Sequence, residues 1–149
     1  MPQLDSFIDK QITRLYNHIM SESKLQQYID IIDQLESEEV YDYVLELGQQ
    51  EKGMYTDRLE EHYVHGCQSP VWVTGTDEPT GWEWSIDSDS FMVRGVGHII
   101  CECLSGMTAD EIDEVTFYDF KNLSVYFSTQ RKQGMQSIIN KIKSISKGN

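Results

Sequence analysis

Basic residues are scarce in this chain. Twelve lysines and arginines stand against 25 aspartates and glutamates in 149 residues, for a formal net charge of −13 at pH 7. That balance argues against a nucleic-acid partner, because binding to a phosphate backbone depends on cationic side chains that displace counterions. It argues equally against anionic membrane surfaces, and its plainest effect is solubility. Long apolar runs are missing too. No segment approaches the roughly 20 apolar residues that span a bilayer, and the opening MPQLDSFIDK carries acids with no apolar stretch behind it. Only three cysteines occur, unevenly spaced, an odd number that makes no disulfide framework. A reducing, cytoplasmic setting is therefore expected. Against these absences stand 16 aromatic residues, three of them tryptophan, which exclude a disordered chain. The length suits one domain with a single core.

The apolar residues fall into periodic groups. Leu4, Ile8, Ile12, Leu15, Tyr16 and Ile19 take helical spacing, and Leu25, Tyr28, Ile29, Ile32 and Leu35 form a second such run. Ser37, followed by Glu38 and Glu39, reads as the cap of a further helix that carries Val40, Tyr43, Val44 and Leu47 and ends at Gly48. Residues 49–63 are polar and read as a long surface connection. Residues 70–75 and 81–87 read as strands, joined by the turn chemistry of TGTDEPTG, and Tyr63 with Val64 gives a faint third strand. Met92, Val96, Ile99, Ile100, Cys103 and Met107 share one face of a helix over 90–105. Thr108 and Glu111 have the spacing of a capping box. Met135, Ile138, Ile139, Ile142 and Ile145 mark a final helix from about residue 133, with Lys141, Lys143 and Lys147 suited to its C-terminal dipole. The order implies an α+β fold, a small antiparallel sheet packed with helices.

The cysteines differ in setting. Cys103 lies in the apolar stripe of its helix and reads as a core residue. Cys101 falls about 160° away, on a side shared with Arg94, His98 and Ser105, so the pair cannot chelate one metal from a regular helix. Cys67 is the odd one. It sits in HGCQSPVWV (65–73), after a glycine and before the first strand. Gly66 frees the backbone to turn, Gln68 and Ser69 can donate hydrogen bonds to a thiolate, and a protonated His65 would lower the thiol pKa. Three readings stay open on these residues: a reactive thiol, an inert loop thiol, and a metal site built from His62, His65 and Cys67 with His98 or Cys101 as fourth ligand.

Residues 65–73 contain a Gly-Cys-Gln-Ser-x-Val-Trp segment that resembles the SufE family, sulfur acceptors of iron–sulfur cluster assembly. Three other stretches agree in the family's order: YDYVLELGQ (41–49), DSDSFMVRGVGHIICECLSGMTADEI (87–112) and STQRKQGMQSIINKI (128–142). The similarity runs over about residues 25–146. It implies a single SufE-like domain over 1–149, with an extra N-terminal helical segment at about 1–24. It implies that Cys67 accepts sulfane sulfur from a PLP-dependent cysteine desulfurase (SufS-like), stimulates that enzyme and passes sulfur to an iron–sulfur scaffold protein. His65, Gly66, Gln68, Ser69 and Arg131 would support the loop or the partner contact. No cofactor and no metal on this chain is implied. The sequence departs from the family at Pro70, where a polar residue is usual, at Thr129, where proline is common, and over 49–63, which lacks a leucine–proline run. A small-molecule thiol enzyme and a binding module with structural cysteines are the alternative functions.

Overall fold

The computed structural model describes the backbone of residues 2–51 and 57–148, and the side chains of 8–12, 15–16, 19–20, 22–50 and 57–148. Part of the expected 49–63 connection, residues 52–56, lies outside the described residues. The first two periodic runs form one helix, α1, over Pro2–Ile32. No glycine or proline falls between residues 3 and 47, so nothing breaks the backbone pattern at the polar Ser21–Lys24 stretch. The helix α2 covers Ser37–Glu51. Its entry is tied by the Glu39 carboxylate, which accepts from the Glu36 N–H at 2.9 Å; the capped residue is Glu36 and not the expected Ser37.

Gly48 does not end α2, contrary to the sequence reading. It is buried inside the helix, where a Cβ would stand 1.7 Å from the carbonyl oxygen of Phe91. The missing side chain permits a close helix crossing and has no capping role. After α2 come a 3₁₀ turn at Glu60–His62 and an antiparallel hairpin, β1 (Val71–Glu78) and β2 (Gly81–Ser88), registered from Val71 opposite Ser88 to Glu78 opposite Gly81. Both strands outrun the expected ends by one to three residues. The faint third strand is real but minimal: Tyr63 bridges Trp72, and the Val64 N–H donates to the Val71 carbonyl at 2.8 Å.

Ser90 caps the next helix, α3 (Phe91–Leu104), its hydroxyl accepting from Val93 N–H. Thr108 and Glu111 form the expected capping box on α4 (Ala109–Glu114). A 3₁₀ turn at Phe117–Phe120 leads into the short α5 (Lys121–Ser124), and α6 spans Thr129–Ser146. It starts four residues earlier than its apolar stripe suggests, because the Ser128 hydroxyl accepts from Arg131 N–H and caps a polar first turn.

The helix α3 is the centre of the fold. It packs against α1, α2, β2 and α6, and ten of its 14 residues are buried. This corrects the one-sided reading of its cysteines: Cys103 is 1% exposed and Cys101, on the other side, only 3%. Arg94 is buried as well, flanked by the Asp87 carboxylate at 4.0 Å and the Phe91 ring at 5.2 Å. Burial, with the Glu102 carboxylate adding to it, pushes the Cys103 thiol up to about 12.

The α2–α3 crossing is reciprocal. A Cβ on Gly95 would lie 2.0 Å from the Val44 carbonyl oxygen. Gly95→Ala or Gly48→Ala is expected to force the helices apart at a cost of about 1–3 kcal/mol or more, measured by urea denaturation. Cys103→Ala is expected to cost about 1 kcal/mol or more through a core defect. Because the folded thiol holds its proton more tightly than the unfolded one, its contribution is complete below the ordinary thiol pKa and is lost as pH rises toward about 12. Cys103→Ala should therefore flatten the alkaline fall of stability in melts between pH 8 and 11.

Candidate functional site

The segment 65–70 leaves and rejoins the fold between two fixed stems. The Val64–Val71 backbone bond closes it. On the exit side the Ser88 hydroxyl donates to the Pro70 carbonyl at 2.7 Å and accepts from Ser90 N–H at 3.2 Å. The Asp87 carboxylate accepts from Ser88 N–H at 2.8 Å and pairs with Arg58 at 2.8 Å. Arg58 also reaches Asp89 at 2.8 Å and covers the Trp72 ring, 4.4 Å from its centroid. A short loop is thus held to the end of β2 and the start of α3.

Gly66 turns this loop with φ of 101°, a conformation that L side chains rarely adopt. A Cβ there would also lie 2.4 Å from the Ser137 hydroxyl. The turn lays Cys67 against α6, where its Sγ donates to the Gly134 carbonyl at 3.7 Å. A side chain larger than alanine at 134 would occupy the sulfur's seat, since even a Cβ there would stand 3.6 Å from Sγ.

Beside the sulfur is a cavity of about 260 Å³. Gln68, Ser69, Ser90 and Arg131 contribute its polar wall, and Val93, Val96, Met135 and Ile138 its apolar one. Cys67 is half-buried, and burial alone pushes its thiol pKa above the ordinary value. At neutral pH it is a protonated, sheltered thiol. The expected lowering by His65 is not part of that balance. His65 is exposed and stacks edge-on against Tyr63, ring centroids 4.9 Å apart.

Of the residues singled out in the sequence, Cys67, Gln68, Ser69 and Arg131 therefore meet at one cavity, Gly66 shapes its rim and His65 faces away. His62 turns Nδ1 to the Asp57 carbonyl at 3.1 Å. Among the described residues no group of three His, Cys, Asp or Glu side chains is placed to hold a metal ion. The sequence reading missed Gly134 and Ser137, the floor of the loop. With α6 starting at 129, Arg131, Gly134 and Ile138 fall on one face at i, i+3 and i+7; a start at 133 hides that relation. It also missed Ser88 and Arg58, whose contacts join residues far apart in sequence.

Residues 26–146 match the sequence model of SufE, described as an Fe-S metabolism associated domain. The chain belongs to the SufE family. Its role accordingly lies in Fe–S metabolism. An uncharacterized SufE-like protein of Rhizobium meliloti (strain 1021) is 35% identical over 135 residues, which cover 85% of this chain and 96% of that one. The solution structure of a hypothetical protein from Thermus thermophilus has the same fold, with a TM-score of 0.68 at 19% identity over 84% of this chain and 94% of that chain. The SufE match begins well inside α1, so the first six turns of that helix precede the matched domain. Among the described residues no helix is long and apolar enough to cross a membrane.

Two outcomes follow for the loop. Alkylation of Cys67 by iodoacetamide should be slow at neutral pH and rise with an apparent pKa above that of free cysteine. Gly66→Ala should cost about 1–3 kcal/mol from its strained φ and raise the alkylation rate at pH 7.5 by lifting Cys67 from its seat; an unchanged rate would show that the seat does not govern reactivity.

Proposed function

We propose that this protein is a sulfur acceptor: Cys67 takes persulfide sulfur from a PLP-dependent cysteine desulfurase, stimulates that enzyme and passes the sulfur to an iron–sulfur scaffold. The observation that carries the reading is the Cys67 thiol, seated at the tip of a short glycine-turned loop beside a cavity large enough for one more sulfur atom. Its only described hydrogen-bond partner is a backbone carbonyl. A thiol enzyme would need a general base within reach of the sulfur, and among the described residues none is placed there. A carrier needs none, because the partner's chemistry supplies an activated sulfur.

The transfer balances simply. The donor carries a cysteine persulfide, R–S–SH. The Cys67 thiolate attacks the outer sulfur, a new S–S bond forms on Cys67, the donor's S–S bond breaks, and R–S⁻ leaves. The reaction demands ionisation, which burial opposes in the resting loop. Lifting Cys67 away from Gly134 toward the partner removes that obstacle, and return to the cavity shields the persulfide. Gly66 is the natural pivot, with Gln68 and Ser69 moving with the sulfur. Arg131, on the α6 face beside the cavity, offers a planar cation to a partner carboxylate or to the displaced loop. In this reading the whole chain acts as one SufE-like domain with an added N-terminal helical segment, in the cytoplasm.

Cys67→Ser is expected to abolish persulfide loading, read by intact mass after incubation with desulfurase and cysteine, while changing stability by less than about 1 kcal/mol. Equal loading of wild type and variant overturns the assignment. A Cys101→Ala, Cys103→Ala double variant, where it folds, should load normally. Arg131→Ala should weaken desulfurase stimulation by about 1.5–3 kcal/mol, with lysine restoring only part. Slowed alkylation with undiminished stimulation would instead assign Arg131 to the thiol itself.

A further inference from the structure

The last helix is charged unlike the rest of the chain. Residues 129–149 hold five bases and no acid, whereas residues 1–128 hold 25 acids and seven bases. The same helix, α6, is the floor on which Cys67 rests. The two facts meet on one flank. At about 100° per residue, Lys141 lies within about 20° of Gly134, and Arg131 and Ser137 lie about 60° to either side. Gly66 sits over Ser137 and Cys67 over Gly134, so the loop crosses α6 between Arg131 and Lys141. At about 1.5 Å per residue, the two cations stand about 15 Å apart along the axis, about 4.5 Å before Gly134 and about 10.5 Å beyond it. Lys132, Lys143 and Lys147 lie about 140–180° from Gly134. On that opposite flank Lys147 pairs with Asp113 at 2.6 Å, and Lys143 donates to the Asp113 carbonyl at 3.2 Å.

Arg131 and Lys141 are left unengaged. Both are partly buried, and neither side chain has a hydrogen bond or ion pair among the described residues. Other bases find acids within reach: Arg58 holds both Asp87 and Asp89. At the Cys67 site no acid lines the wall. The cavity beside the sulfur and an adjoining one of about 420 Å³, which share Gln68, Gln130 and Arg131, have no aspartate or glutamate among the described residues that bound them. This distribution selects the sign of what docks here. A basic partner is drawn to the acidic surface of residues 1–128 and away from this flank. An acidic partner is repelled by the rest of the molecule and attracted here, which turns its contact surface toward Cys67. Nucleic acids and anionic membranes need a cationic area wider than two side chains.

Building on the sulfur-acceptor reading above, we infer that Arg131 and Lys141 together bind an acidic surface of the desulfurase, with carboxylates about 15 Å apart on either side of its persulfide. Lys141 is the added element. It bounds the far side of the loop as Arg131 bounds the near side, so the partner is held at two points and Cys67 emerges between them. Lys141 does not line the cavity beside the sulfur and acts by positioning the partner.

The test uses the full chain with a SufS-like cysteine desulfurase. The protein concentration that gives half-maximal stimulation is measured at about 0.05 M and about 0.5 M NaCl and should rise at least about fivefold with salt, because exposed charges are screened. At low salt Lys141→Glu should raise it about tenfold and Lys141→Gln about threefold, with the plateau rate unchanged and the gap closing at high salt. Lys121→Glu makes the same change of net charge on an exposed residue that lines neither cavity, and should stay within about twofold of wild type. Binding alone is read by fluorescence anisotropy with Cys67→Ser, which needs no sulfur transfer. A salt-independent half-saturation overturns the proposal, as does a Lys141→Glu variant that matches Lys121→Glu, or one with a lowered plateau at unchanged half-saturation. Charge reversal that leaves stimulation intact and slows only onward transfer to a scaffold also overturns it, by assigning the cations to the acceptor. Should Lys141→Glu lose helix, Lys141→Gln and the salt series on the unaltered chain decide. Charge-dependent binding with no persulfide on Cys67 would sink the sulfur-acceptor reading and keep this docking face; persulfide loading with no charge dependence would do the reverse.

Discussion

The contact that the rest of the structure depends on is the glycine-mediated approach of α2 to α3. At Gly48 and Gly95 the helix backbones come within distances that no side chain would allow. This closeness has a steric origin and brings a hydrophobic return. With the two helices drawn together, Val40 and Val44 of α2 and Met92 and Val96 of α3 belong to one buried cluster, and ten of the 14 residues of α3 are buried. The other face of α3 then has room for the hairpin and α6. The Cys67 cavity is a product of that arrangement, since Val93 and Val96 of α3 and Met135 and Ile138 of α6 line it together.

The candidate site divides into a part that local sequence displays and a part it does not. Cys67 was legible because a glycine, a cysteine and two small polar residues before a strand make an unusual loop, and because that run resembles one family. Gly66 was legible for its freedom to turn. The floor of the loop was not, since Gly134 has meaning only once the helix register of α6 is known, and that register depends on the Ser128 cap and not on the apolar stripe. Ser88 and Arg58 act across 18 and 29 residues of sequence, distances over which no periodicity speaks.

The fold shows the same division. Helices with a clear stripe and the capping box at Thr108 were readable, as was the hairpin from its turn residues. Gly48 was not, because a glycine after an apolar stripe suits both a helix end and a close crossing, and only the partner helix decides between them. The merging of the first two helical runs into α1 has a related cause: a polar interval looks like a boundary in a pattern of burial, yet the backbone needs a glycine, a proline or a cap to stop.

The hydrogen bond from Ser88 to Pro70 limits how far the loop can travel. With the Val64–Val71 bond on one stem and Ser88 holding Pro70 on the other, Cys67 lies three residues from each anchor. Three residues of fully stretched chain span at most about 10 Å. On the proposed function, a protein that exchanges sulfur with Cys67 has to bring its own reacting atom to within that radius of the rim, on a shallow floor or a projecting segment. A deeper cleft is open only to a loop that first gives up one of its stems. The tether length of a single strand end thus sets the depth of the partner's site.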